Sequence, residues 1–302
     1  MGKKIPSHMS VPMPQHAYVD GQYMRLADAM VPIEDRGLQF ADSIYEVCAV
    51  LNGRLLDWEA HVARMRRNLA ALFITLPHSD AALGQIARRL IAGSRATDGL
   101  LYIQISRGSA RRDHAFPRDP RPRLMMTVRR FDFHQRKGQQ ARGVSVMSLP
   151  DQRWGRVDIK TTGLLANVLA KQDARAAGHF EAWFVAEDGT VREGGSTNAW
   201  IVKGGTLITH PLSAHILPGI ARDTLIRLAR AAQIRVVEAP FSLEDAYGAD
   251  EALLTSTTAP LLPVVAIDGK PVGTGGPGPV AARLASLVAD DIDRQTGWRS
   301  RV

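Results

Sequence analysis

An α+β fold is predicted from three features of the sequence. Strand-like and helix-like segments are mixed along the chain, without the strict strand–helix alternation of a doubly wound parallel sheet. Short apolar runs meet at the turn pairs Asp20-Gly21, Asn52-Gly53 and Asp268-Gly269, which are hairpin signals. The 302 residues, 45% hydrophobic and 23% charged, suffice for one large or two medium domains with a sizeable core.

Taken in order, residues 18–25 read as a hairpin and 34–43 as a loop. A strand over 44–51 turns at Asn52-Gly53 and returns over 54–56. Asp57 is placed to N-cap a helix to about Phe73, with Val62, Met65, Leu69 and Leu72 as its apolar stripe. A second helix starts at Ser79 or Asp80. Strands over 100–105 and 124–128 flank a Gly-, Arg- and Pro-rich loop, 106–122. Residues 131–142 are polar and aperiodic, as expected of an interdomain linker. Beyond them, strands are expected over 144–149, 182–186, 198–202, 206–209, 235–238, 253–254 and 260–267, and helices over 221–232 and 280–293.

Composition narrows the function classes. The net charge of +8 raises nucleic-acid binding first. The arginines, however, are scattered as pairs at 66–67, 88–89, 111–112 and 129–130, and aromatics are only 6%. Neither an RNA-binding signature nor a zinc-ligand pattern appears, so the charge reads as attraction for small anions. No apolar run is long enough to span a membrane, and the first residues lack the apolar core of a signal peptide. The single cysteine, Cys48, excludes an internal disulfide and fits a cytoplasmic protein; in an apolar run it reads as a buried thiol.

The chain is organised around residues 158–170, DIKTTGLLANVLA. Lys160 ends the short run Val157-Asp158-Ile159, read as a strand end, and a helix follows with Leu164, Leu165, Val168 and Leu169 as its packed face. A lysine held on such scaffold is partly desolvated, and a free amine attacks carbonyls to form a Schiff base. Five further patterns carry chemistry. Glu193 precedes the tight turn Gly194-Gly195-Ser196-Thr197, where a carboxylate can meet a protonated ring nitrogen. Gly219 opens a helix at Ile220 or Ala221, leaving amides and the helix dipole to face an anion. Ser256, Thr257 and Thr258 offer hydroxyls after a strand. His61 and Arg64 share a helix face. Tyr45 and Val47 share a strand face, and Arg112 and His114 alternate in the Arg-rich loop, where they can clamp a carboxylate. Each pattern alone also fits an ordinary surface turn or a solvated basic face.

Together and in this order, the segments DRGLQFADSIYEV, His-x-x-Arg, DIK with its helix, EGGSTN, LPGI and TSTT resemble the fold-type IV pyridoxal-phosphate enzymes, from about Tyr18 to Arg283. The resemblance implies a small α/β domain over 17–133, a linker over 134–140 and a larger cofactor domain over 141–302, behind a flexible leader, 1–16. It implies pyridoxal 5'-phosphate between the domains. Lys160 is similar to the Schiff-base lysine and Glu193 to the partner of the pyridine nitrogen. Arg64, the Gly219–Ile220–Ala221 segment, Ser256 and Thr257 resemble the phosphate cup, and Leu217 the side chain packed on the ring face. Ala221 departs from the hydroxyl or branched residue usual there, which leaves only its backbone amide.

Within the family, Tyr45-Glu46-Val47 and Arg112-x-His114 resemble the D-amino-acid transaminases. That resemblance implies that Tyr45, Val47, Tyr102, Thr258, Arg112 and His114 hold the substrate, the last two lent across a homodimer interface. The implied reaction is ping-pong transfer from a D-amino acid, such as D-alanine or D-glutamate, to a 2-oxo acid, such as 2-oxoglutarate or pyruvate. The alternatives of the same fold are (R)-selective amine transaminase, branched-chain aminotransferase and aminodeoxychorismate lyase. The alternative of another class is a basic nucleic-acid-binding protein.

Overall fold

The computed structural model describes residues 16–298; the leader expected over 1–16 lies outside them except for His16. The α+β expectation holds, and the chain folds around two sheets. The first has six strands, all antiparallel: β1 (His16–Val19), β2 (Gln22–Arg25), β3 (Ser43–Leu51), β4 (Arg54–Leu55), β5 (Gly99–Ser106) and β6 (Arg123–Arg130). Their order is β2-β1-β6-β5-β3-β4. Asn52 and Gly53 both take positive φ, 52° and 72°, as a tight hairpin turn demands. Helices α2 (Trp58–Ala71) and α3 (Asp80–Ser94) cover one face. There Ile44, Cys48 and Val50 of β3 pack on Val62, Met65 and Leu69 of α2 and on Leu83 and Leu90 of α3.

Two local expectations are corrected here. Asp57 is the N-cap residue of α2 as expected, but its side chain makes no capping bond: its φ is 52°, and its carboxylate accepts from Gln295 Nε2 at 2.9 Å instead. The segment expected as a loop contains α1 (Arg36–Phe40), N-capped by Asp35, whose Oδ1 accepts from Gly37 N at 2.9 Å. A helix of little more than one turn is too short to show a periodic stripe.

The polar segment expected as an irregular linker is a helix, α4 (His134–Arg142), with none of its residues buried. A helix with no fully buried residue and this polar a sequence carries no apolar stripe, so periodicity could not reveal it. The second sheet comprises β7 (Val144–Pro150), β8 (Glu181–Val185), β9 (Val191–Gly194), β10 (Asn198–Lys203), β11 (Thr206–Thr209), β12 (Val236–Glu238), β13 (Glu251–Ser256), β14 (Ala259–Ile267) and β15 (Lys270–Pro271). The order is β12-β11-β10-β13-β14-β7-β8-β9, with β15 on β14; β7 runs parallel to both its neighbours. Helices α6 (Ile220–Ala231) and α8 (Pro279–Thr296) pack on it. A capping box between Ser242 and Asp245 starts the short α7 (Leu243–Tyr247).

The helix after Lys160, α5 (Leu165–Ala176), is turned the opposite way from expectation. Its alanines, Ala170 and Ala174, pack on Ala182 and Phe184, while Leu165, Val168 and Leu169 are 72%, 59% and 56% exposed. Small side chains let the helix lie close to β8, which points its larger apolar side chains outward. Residues 157–159 are likewise turns rather than a strand.

The two sheets are not loosely strung. Ala49 and Leu51 of the first, with Leu56 just beyond β4, share a core with Trp200, Leu253, Leu261 and, from the helices, Leu225 and Leu284. Among the described residues, no helix is long and apolar enough to cross a membrane.

Candidate active site

A cleft of about 600 Å³ opens where the first sheet meets the second. Its lining includes Tyr45, Arg64, Lys160, Glu193, Leu217, Gly219, Ile220, Ala221, Ser256 and Thr257, which lie as much as 212 positions apart in the sequence (45 to 257).

Lys160 owes its place to β3. Its carbonyl accepts from Tyr45 N at 2.9 Å, Thr161 bridges to Ile44, and the Ser43 and Thr162 hydroxyls lie 2.5 Å apart. The lysine loop is thus stitched to the start of a buried strand. Lys160 Nζ stands 4.1 Å from the centre of the Tyr45 ring, on the cleft side.

Because side chains alternate along β3, Glu46 points the other way from Tyr45, toward α2. Its carboxylate accepts from Arg64 Nε at 2.8 Å and Nη2 at 2.7 Å, and meets His61 Nδ1 at 2.8 Å. Arg64 also donates from Nη1 to the Pro218 carbonyl at 2.9 Å. Burial would raise the Glu46 carboxyl, but the Arg64 guanidinium and the His61 contact outweigh it and hold it at about 2. Arg64 is 7% exposed and edges the cleft as a fixed cation.

On the opposite wall, Glu193 sits in β9, just before the turn as expected. It is 4% exposed. Arg153 Nη1 donates to it at 2.5 Å, Asn198 Nδ2 at 3.0 Å, and Leu217 N at 3.0 and 3.1 Å. Burial pushes its carboxyl up to about 7, against the pull of Arg153, the Leu217 amide and Lys160. Arg153 is itself held by Asp151, Nε to Oδ1 and Nη2 to Oδ2, both at 2.9 Å.

The turn after Glu193 is tied down by a buried acid. Glu181 Oε2 accepts from Ser196 N at 3.2 Å and Oγ at 2.6 Å, and Asn167 Nδ2 of α5 donates to Gly195 O at 2.8 Å. The third wall is the start of α6. Gly219 is its N-cap and contributes no side-chain cap, so the first amides of the helix face the cleft without an internal partner. A Cβ at Gly219 would collide with Asn198 Oδ1, so only glycine lets α6 start against Asn198. The Ser256 and Thr257 turn closes this corner, with Ser256 Oγ accepting from Ala259 N at 3.1 Å.

Residues 43–267 match the family described as amino-transferase class IV. The chain belongs to the class IV aminotransferases. D-alanine aminotransferase of Bacillus licheniformis is 36% identical over 277 residues, 92% of this chain and 97% of that protein. D-alanine aminotransferase of Staphylococcus aureus (strain MSSA476) is 35% identical over 269 residues, 88% and 94% of the two chains. Among solved structures, the Escherichia coli branched-chain amino acid aminotransferase superposes with a TM-score of 0.84 at 24% identity, covering 95% of this chain and 96% of that one. The branched-chain aminotransferase of Thermoproteus uzoniensis, solved with norvaline, gives 0.81 at 23% identity, covering 94% and 98% of the two chains. At these identities the structural likeness establishes the fold-type IV fold.

Some predicted residues lie outside this aminotransferase cleft. Val47 and Tyr102 share the sheet face of Tyr45 but do not line it; the rings of Tyr45 and Tyr102 stack with centroids 5.8 Å apart. Thr258 does not line the cleft either, although its hydroxyl lies 3.4 Å from that of Ser256, which does; its carbonyl accepts from Arg136 Nε at 3.2 Å. Arg112 and His114 also miss the cleft of their own chain and gather around Phe40, the Arg112 guanidinium 4.8 Å above its ring and the His114 ring 5.4 Å away. Sequence reasoning missed Arg153, Asn198 and Glu181. Only the Asn of EGGSTN carried any signal, because the other two act through partners far along the chain.

Proposed function

We propose that the chain is a pyridoxal-phosphate-dependent D-amino-acid aminotransferase that passes the amino group to a 2-oxo acid in a ping-pong cycle. The observation that carries the reading is one cleft that joins an amine, Lys160, to a buried carboxylate, Glu193, and to the unpartnered amides of α6. The D-preference rests on the relatives, whose name is D-alanine aminotransferase over nine-tenths of this chain.

The donor set suits the cofactor. The amides of Ile220 and Ala221 and the hydroxyls of Ser256 and Thr257 form a cup for a phosphate. Arg64 adds a fixed positive charge; of its five N–H groups, three are engaged by Glu46 and Pro218. Leu217 borders the same cleft and supplies an apolar side chain for a ring face. Pyridoxal phosphate, when bound, supplies the electron sink for the carbanion left by removal of an α-proton.

Lys160 is the acid and base of the cycle. Its amine takes the α-proton of the amino acid and returns a proton on the way to product. Arg153, Asn198 and the Leu217 amide fix the oxygens of Glu193, which would hold a protonated ring nitrogen of the cofactor; that cation would offset the burial that raises its carboxyl and keep it an anion. Tyr45 flanks the lysine on the substrate side.

Arg112 and His114 bind the substrate carboxylate in a partner subunit of a homodimer. Their absence from the wall of their own cleft, and the exposed apolar side chains Leu165, Val168 and Leu169 beside it, support this arrangement. The lone, buried Cys48 suits work in the cytoplasm.

The test is steady-state kinetics with D-alanine and 2-oxoglutarate. Arg112→Ala is expected to raise the Michaelis constant for D-alanine about 10- to 100-fold, the loss of a charge-assisted pair, with pyridoxal-phosphate affinity unchanged. An unchanged Michaelis constant contradicts the trap.

A further inference from the structure

The loop that carries Arg112 and His114 is anchored to a buried ionic cluster for which the reaction itself has no use. Arg36, the first residue of α1, is 3% exposed, and Arg107, at the start of the loop, is 2% exposed. Asp42 joins them: it accepts from Arg36 Nε at 2.8 Å and from Arg107 Nε at 2.7 Å and Nη2 at 2.9 Å. Arg107 continues to the Leu72 carbonyl at 2.7 Å and so ties the cluster to the end of α2. The cluster is therefore locked to the first sheet and its helices.

Arg36 then spends its outer edge on the loop. Nη1 donates to the Asp113 carbonyl at 2.6 Å and Nη2 to the His114 carbonyl at 3.3 Å. These carbonyls belong to the two residues that follow Arg112. The other end of α1 holds the side chains: the Phe40 ring lies below the Arg112 guanidinium at 4.8 Å and beside the His114 ring at 5.4 Å, with the Arg36 guanidinium 4.9 Å from the same ring. The loop stem is fixed too. Arg36 N donates to the Gly108 carbonyl at 2.9 Å, and Asp35 bridges to Ser109. Gly108 has φ +92°, and a Cβ there would collide with the Arg121 carbonyl, so the two strands of the stem cross with no room for a side chain.

A surface loop of this length, rich in Arg, Pro and Gly, has many conformations, and a carboxylate clamp needs one. An arginine used as a staple between a buried aspartate and two loop carbonyls selects that one, because its planar fork fixes donor directions. We infer that α1 positions the substrate carboxylate trap, Arg36 through the backbone of the loop and Phe40 through the rings and guanidinium of its tip. The inference rests on the reading of Arg112 and His114 given above. Arg36 and Phe40 are positioning residues here; the groups that meet substrate are on the loop. A misplacement of about 1 Å of such groups is enough to cost on the order of a hundredfold.

The test compares four variants of the holoenzyme: Arg36→Met, Arg36→Lys, Phe40→Leu and Arg112→Ala. Arg36→Lys keeps a cation for Asp42 but cannot reach Asp42 and two carbonyls at once. Phe40→Leu keeps every hydrogen bond of the Arg36–Asp42–Arg107 cluster and removes only the ring on which Arg36, Arg112 and His114 gather. Michaelis constants for D-alanine and pyruvate, kcat, pyridoxal-phosphate affinity and the rate of bleaching by hydroxylamine are measured for each. Hydroxylamine reacts at the same carbon of the cofactor as the amine of a substrate but has no carboxylate. The expected result is a Michaelis constant raised about tenfold or more in Arg36→Met, with a smaller rise in Arg36→Lys and in Phe40→Leu. Hydroxylamine bleaching and cofactor affinity stay at the wild-type level. If Arg36→Met does not fold, the Lys and Leu variants decide. Wild-type Michaelis constants in those two overturn the inference, as does a parallel loss of cofactor affinity and hydroxylamine reactivity, which marks general damage to the site. Arg112→Ala separates the two levels. An unchanged constant there defeats the trap itself, whereas a raised one beside unaffected α1 variants defeats only the positioning role.

Discussion

Two buried glutamates, Glu46 and Glu193, are driven in opposite directions by their neighbours. Glu46 meets a bidentate guanidinium and an imidazole and is held at about 2, whereas Glu193 shares Arg153 with Asp151 and is pushed by burial up to about 7. The first is a structural anion; the second is poised to respond to a cation entering the cleft. Because Glu46 has a folded value below its ordinary 4.5, it stabilises the fold above pH 4.5, and this contribution drains away as pH falls from 4.5 through about 2. The gap corresponds to about 3 kcal/mol at neutral pH, and cutting one partner of a buried pair costs a similar ~3–5 kcal/mol. Glu46→Gln is therefore expected to lower the thermal midpoint at pH 7 and to flatten the acid limb of the stability profile between pH 4.5 and 2. Equal acid limbs in the two proteins would show that Glu46 is not the group responsible.

At the level of elements, the start of α6 depends on one absent side chain. Asn198 serves both Glu193 and the Leu217 carbonyl at 3.0 Å, and its Oδ1 occupies the space a Cβ of residue 219 would need. Gly219 has φ −71°, so an alanine there meets no backbone strain, only this clash. Gly219→Ala is expected to keep the fold, at an overpacking cost of about 1–3 kcal/mol, and to weaken pyridoxal-phosphate binding about tenfold or more by displacing Asn198 and the first amides together. A fluorescence titration with pyridoxal phosphate measures this, and wild-type affinity contradicts it. The same element shows what a sequence can disclose. Lys160, Glu193 and Gly219 were legible because each lies in a compact motif whose neighbours carry its meaning. Arg153 was not: its partner Glu193 is 40 residues away, and the pairing exists only once β9 and the loop after β7 are side by side. Arg36 was further out of reach, with Asp113 77 residues away. Helix α5 misled for a related reason, since an apolar stripe says that a face is to be covered but not by what; here alanines took the inside and Leu165, Val168 and Leu169 the outside.

For the whole molecule, the two sheets share one apolar core around Leu51, Trp200 and Leu225, so the cleft walls are held at a fixed separation. The cleft itself is polar where it meets that core: Arg64 from the first unit and the α6 amides from the second converge on one corner. The net charge of +8 suits this arrangement as well as solubility, since the proposed cofactor carries a phosphate and each proposed substrate a carboxylate. What the sequence alone left open was which D-amino acid is preferred, because Arg112 and His114, the residues proposed to meet its carboxylate, lie on a loop outside their own chain's cleft. The most direct test of the account is the visible spectrum of the protein loaded with pyridoxal phosphate, recorded before and after D-alanine and, separately, L-leucine. The account predicts a yellow band that D-alanine bleaches, that L-leucine leaves in place, and that Lys160→Ala lacks. A band bleached by L-leucine alone, or no band at all, would contradict it.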